Sequence, residues 1–367
     1  MEGNKSIAEG GTEMILPLLN KNIISIDIGS YETKIIEAKK HNNSIQVSKA
    51  VSILTPEGSY EDGRINNELI LREAIRGELK KHKITSKTAY LTIKSTAIIT
   101  REIPFPLVEP KEIDGMLKFQ LSEYLPMDIS RYVVQHKIIG KVFDGEKERL
   151  NVLIVAIPKD IIEKHYFLLS DLNLKPEVLD YQSNSISKLI WFTDSINNGT
   201  FVSDKTVAAI DLGYSSTNIS IIKNGKLQTS RAIEMGGKDL DENILNLFDF
   251  TKEELIENKL NISDVSVISG DYSDYNRLIN VTKNTIENMI YKLDNIVKYY
   301  ISKELENEID MILIYSGLSQ LNGVDKLFSS YFNINTVIIN SLDKVNIQAN
   351  PNKYFSCIST VLRDEEV

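Results

Sequence analysis

The chain has 367 residues, 42% of them hydrophobic and 25% charged, with a formal net charge of -9 at pH 7. A chain of this length buries a sizeable core and divides into subdomains. Its acidic balance argues against general nucleic-acid binding, which runs on clustered Lys and Arg against phosphate. One cysteine, Cys357, allows neither an internal disulfide nor a cysteine-ligated metal cluster, and a cytosolic home fits that usage.

The opening "MEGNKSIAEGGTE" is polar and Gly-rich, without the apolar core of a signal peptide. Residues 1–13 read as a flexible leader, with Met14 a candidate native start. The longest apolar run, "VLIVAI", is too short to span a bilayer, so any membrane association is expected to go through a partner.

Next comes "IISIDIGSYETKIIEAKKHNNSIQVSKAV", which reads as a strand over Ile23–Ile28, a Gly turn, a second strand, an Asn-containing turn and a third strand. The same pattern returns at "VAAIDLGYSSTNISIIKNGKLQTSRAI". Asp27, Gly29 and Thr33 fall on Asp211, Gly213 and Thr217. Beyond a turn two residues shorter, Gln46, Ser48 and Ala50 meet Gln228, Ser230 and Ala232. The pattern implies a duplicated fold with one copy in each half.

Between the copies, "NNELILREAIRGELKKHK" has helical periodicity and a basic last turn. "AYLTIKSTAIITREI" reads as strands, and Pro104 and Pro106 mark a boundary. From there the pattern predicts helix, strand, strand, helix and strand, a small α+β insertion over residues 100–180. After the second copy, "GGKDLDENILNLF" and "TKEELIENK" read as helices, and "NTIENMIYKLDNIVKYYISKEL" as a long amphipathic one. A strand and Gly turn at "MILIYSG", a helix, a strand and a last helix, "YFSCISTVLR", close the chain.

A strand ending in Asp-x-Gly and turning through hydroxyl residues makes a phosphate cradle. Gly29 lets the backbone approach closely, Ser30 and Thr33 add hydroxyl donors, and Lys34 adds a charge. Asp27 at the strand end is expected to hold Mg²⁺ through water, since a carboxylate beside phosphate is repelled. Two such cradles facing across a cleft would grip a polyphosphate from both sides, with a third Gly turn at "YSGLSQLNG".

At these three motifs the chain resembles the superfamily of actin, the sugar kinases and the heat-shock chaperone ATPases. The likeness covers nearly everything after residue 20. "IDIGSYETK" resembles the first phosphate loop, "IDLGYSSTN" the second and "IYSGLSQLNG" the adenosine motif. The inserted α+β subdomain, with "REIPFPLVEPKEIDGMLKFQLSEYLPMDI" and "GGKDLDENI", is similar to the FtsA/PilM family, the second branch of which serves type IV pilus assembly.

The resemblance implies an α/β actin-like ATPase fold of two lobes, the first over residues 14–99 and 181–205, the second over 206–367 with an outer subdomain at about 236–305. It implies ATP and Mg²⁺ as cofactors, with hydrolysis slow if it occurs at all. Gly29, Ser30, Tyr31, Thr33 and Lys34 would meet phosphate from one side, and Gly213, Ser215, Ser216 and Thr217 from the other. Asp27 and Asp211 would face the metal, and Gly236, Gly237, Gly317 and Leu318 would surround the nucleoside.

Three departures weaken that site: Ser316 opens a motif that usually begins Gly-Gly, Tyr31 and Tyr214 stand where small residues are common, and Glu257 takes the place of an adenosine-contacting lysine, two positions before Lys259. The implied partner is the cytoplasmic N-terminal tail of a PilN-like membrane protein, docked between core and insertion under a type IV pilus or type II secretion platform. A pilus motor ATPase and self-assembly are further partners that the resemblance brings, and the location is cytoplasmic, peripheral to the inner face of the plasma membrane.

Two rivals come from the same superfamily. An FtsA-like division protein is expected to carry a C-terminal amphipathic anchor, whereas the sequence ends "STVLRDEEV". A small-molecule kinase needs a general base, for which Asp180 is the nearest offer, although a turn or cap carboxylate suits it better. His41, His82, His136 and His165 show no ligand spacing, and Trp191 reads as a core anchor.

Overall fold

The computed structural model describes residues 21–109, 111–117, 128–145, 147–267, 273–304 and 306–363. The expected leader and much of the helix over "KEIDGMLKFQLSEYL" lie outside them. Strand β1 (Ile23–Ile28) is buried at all six positions, as its β-branched sequence requires of a central strand. It pairs antiparallel with β2 (Glu32–His41), which pairs with β3 (Ser44–Leu54). A short hairpin, β4 (Tyr60–Glu61) and β5 (Arg64–Ile65), turns through Asp62 and Gly63, both at positive φ.

Helix α1 (Glu68–Lys81) starts where the Asn67 side chain accepts the Ile70 N–H, and ends on Lys80 and Lys81. It buries Leu71, Ile75 and Leu79, one residue per turn. Strand β6 (Thr88–Ile93) then runs parallel to β1, setting Asp27 opposite Thr92.

The insertion is a three-stranded sheet in the order β7-β9-β8, built from β7 (Ile99–Phe105), β8 (Tyr132–Asp144) and β9 (Lys147–Pro158), with a helix α2 over residues 111–117. Its own core comprises Ile103, Phe105, Ile113, Leu117, Leu150, Val152, Ile154 and Ala156. The expected end of the insertion at 180 is therefore too late. Helix α3 (Lys159–Asp171) puts Ile161, Leu168 and Leu169 into the first lobe's core, and β10 (Lys175–Tyr181) pairs parallel with β6.

Helix α4 (Gln182–Phe192) and the small hairpin of β11 (Ser195–Ile196) and β12 (Thr200–Phe201) lead to the second lobe. There β13 (Thr206–Leu212), β14 (Thr217–Lys223) and β15 (Lys226–Ile233) repeat the first meander. The register repeats as well: Ile28 opposes Thr33 in one copy, and Leu212 opposes Thr217 in the other.

Three helices follow, α5 (Gly237–Leu245), α6 (Lys252–Leu260) and the long α7 (Asp274–Lys303), then β16 (Met311–Tyr315), α8 (Val324–Phe332) and β17 (Thr336–Ile338). The second sheet has the order β15-β14-β13-β16-β17, with β16 parallel to β13. Five strands of the first, β3-β2-β1-β6-β10 read from the other edge, follow the same order. The duplication thus reaches beyond the repeated segments.

The last elements return to the first lobe, contrary to the expectation that 206–367 forms the second alone. Strand β18 (Val345–Asn346) pairs with β3, and helix α9 (Phe355–Thr360) packs on β1 and β6. Helices α4 and α9 lie against each other between the lobes. Small hydroxyl side chains allow the close approach: Ser359 Oγ meets Ser185 Oγ at 2.9 Å, and Gln182 Nε2 donates to Ser356 Oγ at 3.0 Å.

Candidate functional site: a twin-loop cleft and a groove

The two Asp-x-Gly turns face each other. In the first, the Gly29 N–H donates to the Glu32 carbonyl at 3.2 Å, and a Cβ on Gly29 would stand 2.8 Å from that oxygen. In the second, a Cβ on Gly213 would stand 2.6 Å from the Ser216 carbonyl. Both turns are therefore too tight for any residue but glycine, for the same reason. The cleft between them is lined by Gly29, Ser30, Tyr31, Lys34, Gly213, Ser215, Ser216 and Gly317 among the residues expected from sequence, and also by Lys94 and Lys353.

Thr33 and Thr217 do not join them. Each lies fully buried at the start of the second strand of its meander. Thr33 Oγ1 meets Thr55 Oγ1 at 2.8 Å, and Thr55 Oγ1 in turn donates to the Gly29 carbonyl at 2.7 Å. Thr217 Oγ1 donates to the Met235 carbonyl at 2.8 Å. These hydroxyls tie the loops down instead of reaching into the cleft. Gly236 and Gly237 also stay out of it. The Gly237 N–H donates to the Gly213 carbonyl at 3.0 Å and the Lys238 N–H to the Tyr214 carbonyl at 2.8 Å, so the first amides of α5 face the loop's backbone. Leu318 is buried in the second lobe's core.

The two aspartates sit at equivalent strand ends, both buried. Asp27 Oδ2 is 3.5 Å from Lys34 Nζ. Asp211 Oδ2 accepts from Lys94 Nζ at 2.9 Å and from Gln182 Nε2 at 2.9 Å. Burial pushes the Asp211 carboxyl up, but Lys94 and Gln182 outweigh it and hold it below the usual carboxylate range. The remaining oxygens, Asp27 Oδ1 and Asp211 Oδ1, are buried without a hydrogen-bond partner among the described residues.

As a test of the expected Mg²⁺, the arrangement is a poor fit. Each aspartate already holds an ammonium, which a divalent cation beside it would have to displace or be repelled by.

Phosphate fits better than the rest of a nucleotide. The loops offer tight turns and hydroxyls, and the ammonium groups of Lys34, Lys94 and Lys353 stand there each paired with a carboxylate, yet the free volume is about 60 Å³, against about 300 Å³ or more for a small-molecule pocket. Tyr31 and Tyr214 account for the closure, as their rings meet across the mouth. Tyr214 leans on Asp241, which also pairs with Lys259. Burial and that carboxylate push the Tyr214 phenol up to about 12. Glu257 is exposed and Lys259 is occupied. Ser316 sits at φ 79° and ψ -164°, a conformation natural only to glycine, and its N–H donates to Asn352 Oδ1 at 2.9 Å.

A second concavity, of about 640 Å³, opens between the insertion and the core. Val133, Gln135 and Lys137 of β8 and Leu153, Val155 and Ile157 of β9 form one wall. Leu179, Asp180 and Asn184 face them, with the Asn224–Gly225 turn of the second lobe at one side. Trp191 is no core anchor: its side chain is 47% exposed and its ring packs on Gly225 at the edge of this groove. Asp180 Oδ2 forms a buried pair with Lys188 Nζ at 2.7 Å, so it is not free to act as a kinase's base.

Two lobes that share one five-strand order, paired Asp-x-Gly loops and two packed helices between them define the actin-like ATPase fold. The sequence profile of the family described as "Type IV pilus assembly protein PilM" matches residues 25–355. The chain belongs to that family. It is similar to the solved "PilM-PilN type IV pilus biogenesis complex", with a TM-score of 0.76 and 18% identity over 93% of this chain and 98% of that one. A cell division protein FtsA of Staphylococcus epidermidis is 24% identical over 82% of this chain and 67% of its own length. MreB5 of Spiroplasma citri bound to AMPPNP shares the fold at a TM-score of 0.50, with 12% identity over 93% and 94% of the two chains. Among the described residues, no helix is long and apolar enough to cross a membrane.

Proposed function

We propose that this chain is a nucleotide-binding assembly adaptor of a type IV pilus or type II secretion platform, at most a slow ATPase. It receives the cytoplasmic N-terminal tail of a PilN-like membrane protein in the groove between the insertion and the core, and so lies at the inner face of the membrane through that partner. The observation that carries this reading is the groove itself. It is large enough for an extended segment, apolar side chains such as Val133, Leu153, Val155, Ile157 and Leu179 line it, and β8 is an outer strand of its sheet.

One helix connects this groove to the cleft. Gln182 at the start of α4 donates to Asp211, while Asn184 and Trp191 of the same helix line the groove. Lobe opening that admits a nucleotide would therefore shift α4, and with it the groove wall.

The test is fluorescence anisotropy of a labelled peptide spanning a PilN-type N-terminal tail. Wild type is expected to bind, and Trp191→Ala and Val155→Asp to weaken binding about tenfold or more. Equal affinity in all three chains would place the tail elsewhere. Affinity that is the same with ADP, with ATP and without nucleotide would sever the proposed link between cleft and groove.

A further inference from the structure

The Lys94 ammonium stands where aspartates of the two lobes converge. It donates to Asp211 Oδ2 at 2.9 Å and lies within the electrostatic reach of Asp27. A Cβ placed on Gly213 would be 3.6 Å from it, which puts Nζ beside the second loop.

Its position is fixed by the hairpin of β4 and β5. Asp62 at the hairpin tip accepts the Thr96 N–H at 2.8 Å and the Thr96 hydroxyl at 2.6 Å. Gly63 beside it lies so close that a Cβ would stand 2.7 Å from the Lys94 carbonyl. The turn that follows β6 is thus clamped, and its lysine is aimed across the cleft.

With Lys34 at Asp27, two carboxylates meet two ammonium groups, and the four charges cancel. A divalent ion needs oxygen ligands on several sides, and a neighbouring ammonium repels it. We infer that Lys94 takes the place of the divalent cation in this cleft, so that the protein holds its phosphate ligand without one. The part concerning phosphate rests on the nucleotide reading above, whereas exclusion of the metal does not.

Two measurements on the full chain test it. The first is a Mn²⁺ titration followed by electron paramagnetic resonance, without nucleotide. Wild type is expected to show no site at the cleft, and Lys94→Met to gain one Mn²⁺ that Asp211→Asn removes again. Lys94→Gln, which keeps a hydrogen bond to Asp211, serves if the methionine variant does not fold. The second is binding of fluorescent mant-ADP in Mg²⁺ and in EDTA. Wild-type affinity is expected to agree within about twofold, and the Lys94 variant to lose about tenfold or more in EDTA.

A wild-type Mn²⁺ site lost in Asp211→Asn, no gain in the Lys94 variants, or wild-type mant-ADP binding that collapses in EDTA would each overturn the inference. If mant-ADP binds in neither buffer, the nucleotide reading fails, and the Mn²⁺ titration alone decides the role of Lys94.

Discussion

The rings of Tyr31 and Tyr214, one from each glycine turn, meet with centroids 4.9 Å apart and planes tilted by 39°. Side chains that looked in the sequence like separate obstructions form one contact between the lobes. An aromatic pair of this kind contributes about 0.5–1.5 kcal/mol beyond its area.

Removing either ring should therefore favour the open cleft. Tyr31→Ala and Tyr214→Ala are each expected to tighten mant-ADP binding by about two- to tenfold. The double variant should add little to either single one, because the contact is lost once. Unchanged affinity in both single variants would mean that the rings do not hold the lobes closed.

Asp211 holds two donors in a buried position, Lys94 Nζ and Gln182 Nε2, each at 2.9 Å. Asp211→Ala is expected to lower stability by about 3 kcal/mol in urea unfolding, since it strands a largely buried ammonium. Asp27→Ala should cost less, because its pair with Lys34 is longer, at 3.5 Å. Combining Lys94→Met with Asp211→Leu should recover most of the loss.

Ser316 lies at φ 79° with ψ -164°. Strain of that kind costs about 1–3 kcal/mol in a residue with a side chain. Ser316→Gly is expected to raise stability by about 1 kcal/mol, seen as a Tm higher by about 1–2 °C. A lower Tm would show that contacts of the hydroxyl outweigh the strain.

His165 is fully buried, with Nδ1 2.8 Å from the Ile161 carbonyl and Nε2 3.2 Å from the Tyr60 hydroxyl. Those partners fit Nδ1–H donating and Nε2 accepting from the phenol. Burial lowers its pKa from 6.5 to about 4. The folded state thus binds the proton less readily than the unfolded one, so its contribution is complete above pH 6.5 and declines as pH falls from there to about 4. The decline is about 3 kcal/mol at its limit, at about 1.4 kcal/mol per pH unit. His165→Gln should flatten urea midpoints between pH 6.5 and 4 relative to wild type.

What the sequence made legible was whatever repeats locally. Asp27 and Asp211 could be aligned because each ends a strand that turns at once into its neighbour, so register and glycine travel in one short stretch. The match of β6 and β10 to β16 and β17 could not be read, because parallel strands are joined by long, dissimilar crossovers. Lys94 escaped notice for the same reason: nothing near it in sequence says that β6 lies beside β1. Thr33 and Thr217 misled because a hydroxyl beside a glycine turn suits a phosphate and a protein oxygen equally, the Thr55 hydroxyl for Thr33 and the Met235 carbonyl for Thr217, and only burial decides between them. The return of β18 to β3 depends on a pairing of two residues that carries no sequence signal of its own.

The first amides of α5 are bonded to the carbonyls of Gly213 and Tyr214. A helix attached in this way is joined to the second loop through backbone, so the two hold one relative position. Any displacement of α5 is therefore passed through these two bonds to the loop that carries Tyr214 at the mouth of the cleft.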